Sequence, residues 1–232
     1  MTEISLFFFR HGETDYNARK IIQGQSDRSS LPGIADLGLN ARGLHQAGTL
    51  ADFLQAQGIA FDVVLSSDLK RGAETGGIVA NAYGADLIAF PELREMFFGA
   101  ENEGRTVEEF KKTIFDPPLN FADTLTGETI SVSDGKTLRD LHKSTDPRHD
   151  AVAHPGGENK IEVRERGLAI IEKFVAANPG ARKIGITSHN GFLRFLMPEL
   201  DKVEHTECVQ VIYRRDPATL EIVKRMKNPH AA

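Results

Sequence analysis

The chain has 232 residues, 40% hydrophobic and 26% charged, with a formal net charge of −5. That length suits one large α/β domain with a sizeable core, and the acidic balance argues against nucleic acid or an anionic membrane as partner. The single cysteine, Cys208, excludes an internal disulfide and fits a reducing compartment, where its plain role is a small apolar residue in a strand.

In chain order, Leu6 to Phe9 is an apolar run without alternation, as in a parallel strand covered on both faces. It breaks into Arg10-His11-Gly12-Glu13-Thr14, with Asn17 close behind. Ligands of open α/β sheets gather at the carboxyl ends of strands, so a cation and an imidazole are delivered where a ligand would sit. Gly12 is expected to let the backbone turn sharply and approach that ligand. Tyr16 to Gly38 reads as loop. Asn40 is a fitting N-cap for a helix with Leu44, Ala47, Leu50, Ala51 and Leu54 as its apolar stripe and Gly58 at its end.

Phe61 to Leu65 is the second strand, and Ser66-Ser67-Asp68 is expected to cap a helix from about Leu69 to Tyr83 that carries Arg71 in its first turn. Ala85 to Phe90 is the third strand, leading into Pro91 to Gly99. This succession of strand and helix predicts an α/β fold with a doubly wound, mostly parallel sheet flanked by helices. Residues 105 to 155 interrupt the rhythm with polar, glycine- and proline-punctuated sequence, predicting a cap-like insertion within a single domain spanning 1–232. Gly156-Gly157-Glu158 opens a long amphipathic helix ending near Ala177. Lys183 to Thr187 is a core strand that ends in Ser188-His189-Asn190-Gly191, and a helix runs on through Met197. Val209 to Arg214 and Leu220 to Val223 form a terminal hairpin, whose first strand would present an edge that a second copy could pair with. Oligomeric state is left open.

Two strands therefore end in a histidine. Either one alone reads as a satisfied polar residue, but two at equivalent strand ends, with arginines beside them, point to an anion site built from His11, His189, Arg10 and Arg71. The plain alternative for Arg71 is a solvated surface cation.

The string Arg10-His11-Gly12-Glu13-Thr14 with Asn17 resembles the signature of the histidine phosphatase superfamily, in its phosphoglycerate-mutase-like branch. Leu65 to Arg71 followed by Glu74-Thr75 is similar to that family's second phosphate-binding segment, Leu93-Arg94-Glu95 with Gly99 to its proton-donor segment, and Ser188-His189 to its second histidine. Gln23-Gly24 and Gly156-Gly157-Glu158 match accessory motifs. The resemblance implies His11 as nucleophile, Glu95 as general acid and base, and His189 with Arg10, Arg71, Asn17, Gln23, Gly24 and Asn190 around the phosphate. Among the nearby acids Glu92, Glu95, Glu101 and Glu103, the family pattern selects Glu95. Two departures are visible: Asn190 stands where glycine commonly follows the second histidine, and Asn159 where serine follows Gly-Gly-Glu.

The chemistry is consistent. A phosphomonoester carries nearly two charges near neutral pH, which converging cations, a protonated His189 among them, would meet. A neutral His11 would attack phosphorus, and an acid with a raised pKa, helped by Met96-Phe97-Phe98, would protonate the leaving oxygen. The expected function is hydrolysis of a small phosphorylated metabolite, without metal or cofactor and in the cytoplasm. No run approaches the roughly 20 apolar residues of a membrane span, and the start lacks the basic, long apolar pattern of a secretory signal. A phosphoglycerate mutase is the alternative, disfavoured because Phe97 to Gly104 is acidic and lacks tyrosine and lysine; a non-catalytic phospho-ligand module is the third reading. His142, His149 and His154 with Asp146 and Asp150 read as polar loop rather than metal site.

Overall fold

The computed structural model describes residues 3–18, 37–96, 158–215 and 218–231. The strands are β1 (Ile4–Arg10), β2 (Val63–Ser67), β3 (Asp86–Phe90), β4 (Lys183–Ser188), β5 (Cys208–Arg215) and β6 (Ala218–Met226). They form one six-stranded sheet in the order β3-β2-β4-β1-β5-β6. The first four pair in parallel, whereas β5 runs antiparallel to both β1 and β6. The sheet is thus mixed: the hairpin predicted near the carboxyl end adds its two strands beside β1. One expectation is corrected here, because β5 is an inner strand and the edge on that side belongs to β6, which carries Glu221, Lys224 and Arg225. Charged side chains of this kind discourage edge pairing.

The apolar run of β1 is continuous because each face feeds a different core. Leu6 and Phe8 pack with Val163, Ile170, Ile171 and Phe174 of helix α4 (Lys160–Ala177) and with Phe192, Leu193 and Leu196 of helix α5 (Asn190–Leu196). Phe7 and Phe9 join Leu50, Ala51 and Leu54 of α2 (Ala41–Ala56) and Val79 and Ala80 of α3 (Lys70–Tyr83). Both faces are helix-covered, as the doubly wound prediction requires, and each buried phenylalanine contributes about 1.5–3 kcal/mol.

Local chemistry sets the helix ends. Asn40 caps α2 as predicted, its side chain accepting from Gly43 N at 2.8 Å, and Gly58 follows the last turn at φ +69°. At α3 the prediction fails: the N-cap is Leu69, with no side-chain cap. Ser67 Oγ accepts from Leu69 N at 3.1 Å, one step short of the helix, and also meets His189, while Asp68 is drawn to Arg94. A four-residue helix α1 (Asp15–Ala18) occupies part of the expected loop. Asn159 begins α4 with a full capping box, accepting from Ile161 N and Glu162 N while the Glu162 carboxylate receives Asn159 N. An asparagine therefore does what a serine would do there. The predicted insertion at 105–155 lies outside the described residues. Among those described, no helix is long and apolar enough to cross a membrane.

Candidate active site

Strands β1 and β4 are neighbours with Arg10 opposite Ser188, so His11 and His189 leave the sheet side by side. Their ring centroids are 5.0 Å apart, and His11 N donates to Ser188 O at 3.0 Å. His11 Nδ1 lies 2.7 Å from the Gly12 carbonyl. A carbonyl only accepts, so Nδ1 carries the hydrogen and Nε2 keeps its lone pair. Burial, reinforced by Arg71, Arg10 and His205, holds His11 well below the ordinary histidine pKa. His189, with no exposed surface, is likewise held far down by burial and then by Arg71, His11 and Arg10. The expected protonation of His189 is opposed in the free site, first by burial and then by two arginines and a second imidazole that repel another cation. Its Nε2 meets Ser67 Oγ at 2.9 Å, and its buried Nδ1 has no hydrogen-bond partner among the described residues.

The turn after β1 is fixed by close packing. A Cβ on Gly12 would lie 2.5 Å from Gly43 O, and one on Gly43 would lie 2.1 Å from Glu13 O. Gly12 is thus needed for contact with α2, and its φ is not positive. Gln46 Oε1 receives Glu13 N, Asn40 and Arg42 hold the Glu13 carboxylate, and Thr75 Oγ1 receives Gly12 N at 3.1 Å.

Arg10, His11, Asn17, Arg71, Glu95 and Asn190 line one pocket of about 410 Å³, together with Thr14, Tyr16, Leu37, Met96, Gly191, Arg194 and Phe195. Arg71 is 6% exposed, which excludes the solvated surface reading. Arg10 donates through Nη1 to Val203 O at 3.0 Å, and its buried Nε has no hydrogen-bond partner among the described residues. The Asn17 side-chain oxygen is bound by Thr14, and that of Asn190 accepts from Val203 N at 3.0 Å. Gln23 and Gly24 lie outside the described residues.

Among the described residues Glu95 is the acid that lines the pocket; Glu92 is buried elsewhere, its pKa raised chiefly by burial, and Glu101 and Glu103 lie outside the described residues. Glu95 Oε1 accepts from Phe192 N at 2.8 Å and Met96 N at 3.0 Å, and Oε2 from Gly191 N at 3.1 Å. Its hydrogen-bond partners among the described residues are backbone amides; of the expected apolar neighbours Met96 lines the pocket, and Phe97 and Phe98 lie outside the described residues. Among the described residues, no three His, Cys, Asp or Glu side chains are grouped to hold a metal ion. His142, Asp146, His149, Asp150 and His154 are not among them.

The sequence matches the profile of the histidine phosphatase superfamily (branch 1) over residues 6–144 and 132–228. The chain belongs to the histidine phosphatase superfamily. A broad-specificity phosphatase of Saccharomyces cerevisiae is 25% identical over 226 residues, 97% of this chain and 82% of that protein. An Escherichia fergusonii protein named phosphoglycerate mutase GpmB is 38% identical over 186 residues, 80% of this chain and 69% of its own length. By fold the chain is similar to a mycobacterial glucosyl-3-phosphoglycerate phosphatase, with TM-score 0.65 and 21% identity over 97% of this chain and 100% of that one. It is also similar to the Shigella flexneri alpha-ribazole phosphatase, with TM-score 0.59 and 22% identity over 95% and 96%.

Several supports of this histidine phosphatase site escape sequence reading because they join distant segments. Asp68 forms a two-pronged ion pair with Arg94 at 2.5 Å, both buried. Arg166 on α4 is paired with the fully buried Glu158 and donates to the carbonyls of Glu92, Arg94 and Glu95. Glu158, the last residue of the Gly-Gly-Glu string, thus acts through Arg166 to hold the backbone that carries Glu95. His205, also unforeseen, places its ring 5.8 Å from that of His11, and burial with nearby Arg10 lowers its pKa to about 3. The adjoining Thr206 is buried at φ +54° and donates its N–H to Arg10 O. A β-branched residue in the left-handed region carries backbone strain of order 1–3 kcal/mol, of the kind that collects at functional sites. Only the positive φ of Thr206 could have pointed there, and sequence does not reveal it.

Proposed function

We propose that the chain is a phosphomonoesterase that hydrolyses a small phosphorylated metabolite through a phosphohistidine on His11. The observation that carries this reading is the neutral Nε2 of His11, fixed by the Gly12 carbonyl and set beside two largely buried arginines. The Nε2 lone pair attacks phosphorus as the ester P–O bond breaks. Arg10 and Arg71 take up the charge on the phosphoryl oxygens, and His189 adds a donor through Nδ1. Glu95 protonates the leaving alkoxide, then accepts a proton from the water that attacks the phosphohistidine; the P–N electrons return to Nε2. Its Oε2 accepts one amide where Oε1 accepts two, which leaves Oε2 the freer oxygen for that proton. No step calls on a metal or cofactor. The name of the yeast relative, a broad-specificity phosphatase, supports hydrolysis, and the lone buried Cys208 is in keeping with a cytoplasmic setting.

The relative named phosphoglycerate mutase favours a second reading, in which the same phosphohistidine returns its phosphoryl group to the other hydroxyl of phosphoglycerate. The stretch around Glu101 and Glu103 weighs against it, being acidic and without the tyrosine and lysine that the mutase resemblance calls for at that place. Phosphate release from sugar phosphates, phosphoglycerates and p-nitrophenyl phosphate, with His11→Ala as control, decides between them. Release that vanishes in the variant supports the phosphatase. Interconversion of 3- and 2-phosphoglycerate without release would make it a mutase.

A further inference from the structure

We infer that Arg194 forms a second anion subsite, selecting phosphomonoesters that carry another anionic group, a carboxylate or second phosphate, a few bonds from the ester. The inference rests on the phosphomonoesterase reading for turnover, though the subsite itself is a statement about binding. Asn190, Gly191, Arg194 and Phe195 fall at positions i, i+1, i+4 and i+5 of α5, one face of a helix, and all four line the pocket. Helix α5 starts immediately after His189, so Arg194 stands one turn, about 5–6 Å, along the wall from Asn190.

The other pocket arginines are committed. Arg10 is bonded to Val203 O and Arg71 is buried at the start of α3, both at the histidine end. Arg194 is exposed and makes no hydrogen bond or ion pair among the described residues. The bland alternative is a helix-surface cation held by an acid three or four residues away. Those positions are Asn190, Gly191, Met197 and Pro198, none of them acidic. Arg194 does sit in the last turn, where it complements the helix dipole, but that role needs no place on the pocket wall. In a chain of net charge −5, a cation on this wall is the group an incoming dianionic or trianionic ester meets. The pocket volume lies in the small-molecule range, and Leu37, Met96 and Phe195 offer apolar wall to a short carbon skeleton between the two charges. The guanidinium fork suits carboxylate and phosphate alike.

Affinities read by calorimetry in the His11→Ala background, where neither ester is consumed, test this. Two pairs differ only in the second charge: 3-phosphoglycerate against glycerol 3-phosphate, and fructose 1,6-bisphosphate against fructose 6-phosphate. The charged member of at least one pair should bind about 10- to 100-fold tighter, the weight of one charge-assisted hydrogen bond. Which pair responds separates carboxylate from phosphate. Arg194→Gln should collapse that ratio, Arg194→Lys should restore part of it, and added salt should shrink it, since the cation is solvent-facing. A ratio near one in both pairs, or one equal with and without Arg194, overturns the subsite. Phosphate release by the wild-type protein is measured alongside; its absence with the ratio intact would remove hydrolysis while the subsite stands.

Discussion

A neutral imidazole has one nitrogen that donates and one that accepts, and at His11 the Gly12 carbonyl decides which is which. Because burial, Arg71 and Arg10 then depress its pKa, the ring stays nucleophilic in mildly acidic solution. The acid limb of kcat/KM for p-nitrophenyl phosphate should therefore fall well below 6.5, the ordinary histidine value; a limb at 6.5 would mean the ring is solvated. Glu95 is seated with comparable closeness. A Cβ on Gly191 would lie 2.5 Å from its Oε1, so Gly191→Ala must move the carboxylate or the helix. Turnover of alkyl phosphates should drop about tenfold or more, equivalent to about 1.4 kcal/mol in the barrier. Loss on p-nitrophenyl phosphate should be smaller, because that leaving group needs little protonation. Equal losses on both would take Glu95 out of the acid role. At this scale Arg10, His11 and Asn17 were legible because the turn that carries them is local in sequence. His205 and Arg166 were not: their contacts to His11 and to the Arg94 and Glu95 carbonyls span long separations that no local pattern encodes.

Among the elements, β1 was readable from composition because a strand covered on both faces needs no alternation, and the two cores on its faces bear this out. The start of α3 was not readable. Ser67 and Asp68 look like caps, yet Leu69 takes the cap position: Asp68 is drawn to Arg94, and Ser67 Oγ, which also meets His189, accepts only from Leu69 N ahead of the first turn. The Glu158–Arg166 pair shows what such partners cost to break. Both side chains are buried, and Glu158→Gln leaves the guanidinium without its counter-charge. Loss of about 3–5 kcal/mol is expected, a fall in Tm on the order of ten degrees by calorimetry. Since Arg166 also holds the Arg94 and Glu95 carbonyls, kcat should fall in the folded variant at low temperature. A variant that loses stability but keeps full kcat would reduce the pair to scaffolding.

For the molecule as a whole, the histidines that make the site also tax the fold in acid. His11, His189 and His205 all sit below their ordinary value of 6.5 in the folded chain. Above pH 6.5 they are neutral in both states and cost nothing. As pH falls below that value the unfolded chain takes up protons that the folded chain refuses, so stability declines, by about 1.4 kcal/mol per pH unit for each such group. For His205 the window extends down to about pH 3. Denaturant midpoints measured from pH 8 to pH 5 should be flat at first and then fall, and inorganic phosphate should offset the fall by giving the imidazoles an anion. Stability independent of pH across that range would mean the rings are not buried neutral. The mixed sheet belongs to this scale as well. Its parallel part followed from the alternation of strand and helix, whereas the placement of the hairpin beside β1 is a choice of pairing partner that strand patterns do not specify.

The central claim is that the phosphoryl group passes through His11 itself. Rapid acid-free quenching of the wild-type protein with radiolabelled p-nitrophenyl phosphate, followed by peptide mapping, tests it most directly. An acid-labile, base-stable label on the peptide that carries His11, formed before steady state and absent in His11→Ala, is the predicted result. Steady release of phosphate with no labelled intermediate at any time, or a label on another residue, would contradict it.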